Sequence, residues 1–193
     1  MDVAVLTGQW AQLEPLGEQH REALRAAADD ERIWTHMLVV ARGPEFDRWF
    51  DLALAERAAG RQIPFAVRRL DDQALIGSTS YLDPVPKHHR VEIGSTWYVP
   101  AVWSTRINPE CKLLLLTHAF EALGCIAVEF RTSSFNFRSR EAIARLGAKQ
   151  DGILRNHQIT PDGTLRDTVV FSIIANEWPA VKTNLLYRLE RPR

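Results

Sequence analysis

Apolar residues along this chain recur with two periods, and the changes from one period to the other predict its elements. Residues 10–16 read as a first strand. A helical stretch follows from Glu18, with Leu24 and the alanines on one face, and runs irregularly to His36. Gly43-Pro44 introduces a second helix. There Phe46, Trp49, Phe50, Ala53 and Leu54 keep helical spacing, and Gly60 stops it. That aromatic stripe is expected to face the core. Residues 63–70 and 74–82 are strands joined by Asp71-Asp72-Gln73, and Pro84-Val85-Pro86 ends the second. His89, Val91, Ile93, Ser95 and Trp97 then alternate with Arg90, Glu92, Gly94, Thr96 and Tyr98 in a long fourth strand.

The turn after that strand leads into a helix running to Leu123, apolar on most sides and stopped by Gly124. Asn108 is placed as its N-cap and Pro109 at its first position, where a missing N–H costs nothing. Ile126, Val128 and Phe130 alternate in a fifth strand. Asn136 opens a helix carrying Ala142, Ile143 and Leu146, which Gly147 closes. Residues 149–159 and 164–174 form a hairpin around Pro161-Asp162-Gly163, and Glu177-Trp178-Pro179 begins a terminal helix. The order β, α, α, β, β, β, α, β, α, β, β, α describes an α/β protein, a mixed sheet with helices on both faces.

Bulk properties narrow the function. A length of 193 residues suits one domain, residues 1–193. With 24 basic and 24 acidic residues the formal charge is zero, so neither nucleic acid nor an anionic membrane is an expected partner. Cys111 and Cys125 lie near opposite ends of one predicted helix, about 20 Å apart at ~1.5 Å per residue, too far to be bridged. A cytoplasmic setting follows. Met1-Asp2-Val3-Ala4-Val5-Leu6 lacks the basic region and apolar core of a signal peptide. Adjacent His88 and His89 point to opposite faces of a strand and cannot chelate a metal together, and none is expected.

A loop feeding a helix N-terminus gathers unpaired N–H groups and the positive end of the helix dipole, so residues 102–108 suggest a phosphate-bearing ligand. Glu92-Ile93-Gly94, residues 103–112, and the Asn136-x-x-Ser139 helix start running to Gly147 carry a specific resemblance. So do Arg166-Asp167-Thr168 and Glu177-Trp178-Pro179. In this order and spacing the whole chain resembles the GNAT superfamily of N-acetyltransferases, and more narrowly its RimJ/RimL-like branch.

The resemblance implies a strand splay between the fourth and fifth strands, acetyl-CoA as acyl donor without a metal, and a primary amine as acceptor. That amine is either a protein N-terminal α-amine or a small-molecule amine, attacking directly in a ternary complex. A homodimer is implied by resemblance only. Tyr98 and Val99 would lie beside the pantetheine arm, and Trp103, Ser104, Thr105, Arg106, Ile107 and Asn108 around the diphosphate. The family's loop, R/Q-x-x-G-x-G/A, is degenerate here, with Trp103 in the first place, Arg106 in the glycine place and Asn108 in the small-residue place. Arg106 therefore either redirects the loop or offers a guanidinium to the phosphates. Glu110, if it pointed inward, would repel them.

Glu92 is the candidate base, acting directly or through water, and needs a pKa raised by partial burial. The alternative is a strand glutamate satisfied by Arg90 or by a neighbouring strand. Ser139 is the candidate acid for the leaving thiolate, and Asn136 a candidate partner for pantetheine amides, although both also make ordinary helix-start chemistry. Trp97 and His157 are candidate acceptor contacts, with core packing and surface pairing as the alternatives. Asp167 is expected to pair with Arg166. An α-amine near pKa ~7.7 needs less help than a lysine near ~10.4, so a weak base suits the former. A competing reading is a CoA-binding module without turnover, motivated by Arg106.

Overall fold

The computed structural model describes residues 4–191; the first three residues of the leader reading lie outside that range. A two-residue strand, β1 (Leu6–Thr7), precedes the predicted first one, β2 (Ala11–Pro15). Then come α1 (Arg21–Ala27), α2 (Glu45–Ala58), β3 (Gln62–Arg69), β4 (Leu75–Val85), β5 (Arg90–Tyr98) and α3 (Ile107–Thr117). β6 (Ala127–Ser133), α4 (Phe137–Leu146), β7 (Lys149–Ile159), β8 (Leu165–Ile174) and α5 (Trp178–Glu190) complete the order. Among the described residues the strands form one sheet in the order β1-β2-β3-β4-β5-β6-β8-β7, antiparallel except where β5 meets β6. The predicted fourth and fifth strands are thus β5 and β6.

Two bulges depart from the expected alternation. On β5, Gly94 pairs with Ser80 but Trp97 with Ser78, so the strand carries an extra residue there, and Ser95 has φ 45°. An extra residue reverses the parity of everything after it. Val91 and Ile93 therefore share a core with Tyr98, while Trp97 joins the core on the opposite face, against the single alternation predicted. On β4, Asp83 (φ 44°) sits in a second irregularity, which lets the strand run through Pro84 to Val85 instead of ending before it. Bulges tolerate proline because no ladder N–H is needed there.

Helices α3, α4 and α5 pack one sheet face through Cys111, Leu115, Leu116, Ile143, Trp178 and Leu185. Helices α1 and α2 pack the other through Leu24, Phe46, Phe50 and Ala53, so the aromatic stripe faces the core as expected. No residue of this second core comes from β6, β7 or β8. On that side the C-terminal half of the sheet carries charges instead.

The start of α3 differs from prediction. Its first i→i−4 bond runs from Glu110 N–H to the Arg106 carbonyl at 3.0 Å, which makes Arg106 the cap. Asn108 is the second helical residue and Pro109 the third, still within the turn whose N–H groups have no intrahelical partner. The Thr105 hydroxyl accepts from Ile107 N–H at 3.3 Å and supplies the polar cap that Asn108 was expected to provide. Glu110 turns away from the helix mouth. Its carboxylate, 4% exposed, accepts N–H bonds from Gln9 (2.6 Å), Trp10 (2.8 Å) and Ala11 (2.7 Å). A Cβ at Gly8 would collide with that carboxylate, so glycine is required where the β1–β2 turn approaches α3.

Candidate active site

β5 and β6 are paired at only three positions: Arg90 with Ala127, Val91 with Val128 and Glu92 with Glu129. Beyond Glu92 they part, although β5 continues to Tyr98 and β6 to Ser133, where β8 still holds its far edge. The expected splay is present and opens at Glu92.

Residues paired across a sheet share a face, which places Glu92 beside Glu129 on the sheet face opposite α3, α4 and α5. A Cβ on Gly94 would come within 2.9 Å of Glu92 Oε1. The Glu92 side chain thus leans along the strand toward the splay, into space that only glycine leaves. Arg131 Nε stands 3.4 Å from Glu92 Oε2, and no group among the described residues donates a hydrogen bond to this carboxylate. Burial raises its pKa, Arg131 partly opposes that rise and Asp83 adds to it. Arg90, the expected partner, instead pairs with Glu129. Asp83, His88, Arg90, Glu92, Glu129 and Arg131 line a cavity of about 180 Å³.

At the other end of the splay lies the α3 loop. Its left-handed residue is Ser104 (φ 61°), while Arg106, aligned with the family's glycine, is right-handed at φ −75°. The amides of Ser104, Arg106 and Asn108 have no partner among the described residues, whereas those of Trp103, Thr105 and Ile107 do. Unspent amides at a helix N-terminus suit an anion. The Arg106 guanidinium does not face them. It donates to the Arg191 carbonyl at 2.8 Å and lies 5.1 Å over the Trp10 ring, which ties it to the C-terminal segment.

α4 brings the remaining candidates to the same place. Asn136 caps it, Oδ1 accepting from Ser139 N–H at 3.0 Å, which leaves the Asn136 side-chain N–H groups and the Ser139 hydroxyl without partners among the described residues. Arg138, one residue before Ser139, stacks 3.8 Å over Trp103, whose indole N–H donates to the Tyr98 carbonyl at 2.9 Å. That stack joins the first turn of α4 to the α3 loop across the splay.

Other predicted residues are placed differently. The Tyr98 ring is buried beside Cys111 in the core, its hydroxyl pKa well above the ordinary value because of burial. The Val99 amide is bonded to the Ile76 carbonyl at 2.9 Å on the β4 side. Trp97 is 3% exposed between Trp34 and Trp49, and its indole N–H has no acceptor. His157 is exposed and bonded through Nδ1 to Thr168 Oγ1 at 3.1 Å, away from the Trp97 cluster. Asp167 pairs with Arg155 at 2.5 Å and accepts from Asn156 N–H at 2.7 Å; it does not pair with Arg166. Cys111 and Cys125 are free and buried, and burial pushes the Cys111 thiol up to about 12, which makes it inert.

Three side chains stand out to which the sequence assigned no role at the site: Arg138, Arg166 and Lys112. Lys112 is buried, its Nζ donating to Thr96 Oγ1 (2.9 Å) and Thr79 Oγ1 (3.2 Å) with no carboxylate beside it. A lone cation in an otherwise apolar stretch of helix was its only signal.

A carboxylate of raised proton affinity, a serine hydroxyl and a helix start with unpartnered amides therefore flank one opening in the sheet. Comparison with known proteins agrees. The acetyltransferase (GNAT) domain family matches residues 12–149. The N-acetyltransferase YoaA of Bacillus subtilis (strain 168), itself described as uncharacterized, is 29% identical over 114 residues. That match spans 59% of this chain and 63% of the relative, less than two thirds of its length. A GCN5-related N-acetyltransferase from Brucella melitensis superimposes with a TM-score of 0.89 at 29% identity, over 96% of this chain and 85% of that one. Mycobacterium smegmatis RimJ, solved in complex with CoA-disulfide, gives 0.77 at 22% identity, over 95% and 91% of the two chains, a likeness of fold. Among the described residues no cluster could hold a metal ion, and no helix is long and apolar enough to cross a membrane.

Proposed function

This chain belongs to the GNAT acetyltransferase family, and from that premise we propose that it moves the acetyl group of acetyl-CoA onto a primary amine by direct attack in a ternary complex. The acceptor is a protein N-terminal α-amine or a small-molecule amine, in keeping with the RimJ/RimL-like features of the sequence. The observation that carries this reading is the parting of β5 and β6 at Glu92, with the unspent amides of α3 and the free Ser139 hydroxyl at the same opening.

The residues fit the donor. The amides of Ser104, Arg106 and Asn108 would hold the diphosphate, undisturbed by Glu110, whose charge is turned toward β2. The Asn136 side-chain N–H would meet a pantetheine carbonyl. Bound there, acetyl-CoA supplies an activated thioester. Glu92, with its raised proton affinity and no hydrogen-bond donor on it, takes the proton from the attacking amine directly or through water. The Ser139 hydroxyl donates toward the departing sulfur. Neutral amine is the scarce reactant, so a single weakly assisted carboxylate favours an acceptor of low pKa.

Calorimetry with acetyl-CoA, followed by thiol release over an amine panel, tests the reading. Binding with release establishes a transferase. Binding without release from any amine would leave a CoA-binding module, and no binding would remove both.

A further inference from the structure

Arginines that leave full solvent in this chain find acceptors or ring faces. Arg68 bridges to Glu14, Arg25 holds Asp47 at 2.7 Å and Arg138 lies on Trp103. Arg166 is the contrast. It is half-buried, its Nε is closed off from solvent, and no acceptor lies within hydrogen-bond reach of that N–H. No carboxylate forms an ion pair with it. Burial lowers its pKa and the charge of Glu92 opposes that shift.

Register gives its position. Glu129 pairs with Ser172, Arg131 with Val170 and Ser133 with Thr168, so Arg166, two residues from Thr168, shares a sheet face with Glu92. It also lies beyond the last residue of β6, at the end toward which β5 and β6 part. Arg131 reaches both Glu92 (3.4 Å) and Glu129 (3.0 Å), and Arg90 also pairs with Glu129. Arg131 and Arg90 thus take up Glu92 and Glu129, Asp83 lies in the same cavity, and Arg166 forms an ion pair with none of these three carboxylates. A half-buried guanidinium with an idle N–H is complementary to a carboxylate, which it can meet with parallel, charge-assisted bonds.

We propose that Arg166 is an acceptor-recognition residue, and that the amine acetylated at Glu92 carries a carboxylate which Arg166 holds. This rests on the transferase reading above. It extends that reading by naming a chemical class, amino acids of any carbon spacing over plain amines.

The test pairs each of glycine, β-alanine, 4-aminobutanoate and 6-aminohexanoate with the alkylamine of matching length. Thiol release is followed for wild type, Arg166→Gln and Arg166→Lys. For at least one pair, wild type should prefer the carboxylate member by roughly 10- to 100-fold in kcat/KM, the worth of a charged hydrogen bond. Arg166→Gln should remove that preference mainly through KM, and Arg166→Lys should restore part of it. In parallel, the Arg166 Nε–Hε resonance of the CoA-loaded protein should move on adding the preferred amino acid and not its alkylamine.

Equal rates within every pair, equal losses for both members in Arg166→Gln, or an Arg166 resonance unmoved by all four amino acids would overturn the proposal. Acetyl-CoA binding with thiol release from plain amines, alongside any of these, would leave the transferase reading standing. Loss of binding and release together would remove that reading itself.

Discussion

Glu110 and Glu92 are both glutamates withdrawn from water, and their surroundings are opposites. Glu110 accepts three backbone N–H bonds from one turn, and its carboxylate fastens the β1–β2 edge of the sheet to α3. Glu92 accepts none, has one guanidinium at 3.4 Å, and sits where two strands separate. A buried charge whose acceptor sites are filled acts as a structural tie, because every donor it satisfies would otherwise be orphaned. A buried charge short of donors gains proton affinity instead, which is the property a base requires. The difference predicts that replacing one should cost stability and the other turnover.

The largest effect expected is on turnover. Glu92→Gln keeps the size of the side chain and removes its basicity, so kcat/KM should fall about 10²- to 10⁴-fold in a thiol-release assay. In wild type the rate should rise with pH through the raised pKa of Glu92 more steeply than deprotonation of the amine alone requires, and the glutamine variant should keep only the amine's own rise. Stability should behave in the opposite sense. The folded state holds the Glu92 proton more tightly than the unfolded state, so wild-type stability declines as pH climbs from the unfolded pKa through the folded one. Glu92→Gln should abolish that decline and melt no lower than wild type at pH 7. A variant that retains full rate would make Glu92 a structural residue like Glu110.

Next in size is the converse. Glu110→Gln places an amide N–H where three backbone donors converge, and should lower unfolding free energy by about 3 kcal/mol in denaturant titrations. Per folded molecule it should lose far less activity than Glu92→Gln. Comparable loss of activity in both, at equal folded fraction, would erase the distinction.

How much of this was legible in the sequence depended on the range of the interactions. The start of α4 at Asn136 and its end at Gly147 were readable because caps are local, and the structure has the Asn136 side chain on Ser139 N–H and Gly147 at φ 103°. The α2 stripe and the β5–β6 splay followed from periodicity and resemblance. What escaped was set by partners distant in sequence. Glu110 could not be oriented from its neighbours, since the amides it binds are 99 to 101 residues away. The parity of β5 turned on a left-handed Ser95, a residue type that does not announce φ > 0 as glycine would. Arg166 carried no signal alone. Only the pairing of β8 with β6 puts it on the face of Glu92.

Lys112 offers the finest test of the comparison, because it is a buried charge with an intermediate set of partners. Two hydroxyls accept from its Nζ and no carboxylate neutralises it, so burial pulls its pKa down to about 8. Below that value the lysine is charged in both folded and unfolded chains, and the folded state bears the full cost of burying it. Between about 8 and the ordinary value of ~10.4, the unfolded chain still binds the proton that the folded chain has released. Stability must then rise with pH, by about 2 kcal/mol from pH 7 to pH 10. Lys112→Met fills similar space without a charge, and Thr79 and Thr96 can still bond each other at their present 2.7 Å. Its stability at pH 7 should lie within about 1 kcal/mol of wild type, and the rise attributable to Lys112 should be absent from the variant and so appear in full as the difference between the two proteins. That difference also cancels alkaline titration elsewhere in the chain. A difference that stays constant from pH 7 to pH 10 would mean that Lys112 is as fully compensated as Glu110, and that counting donors and acceptors does not separate fixed from titrating charges in this protein.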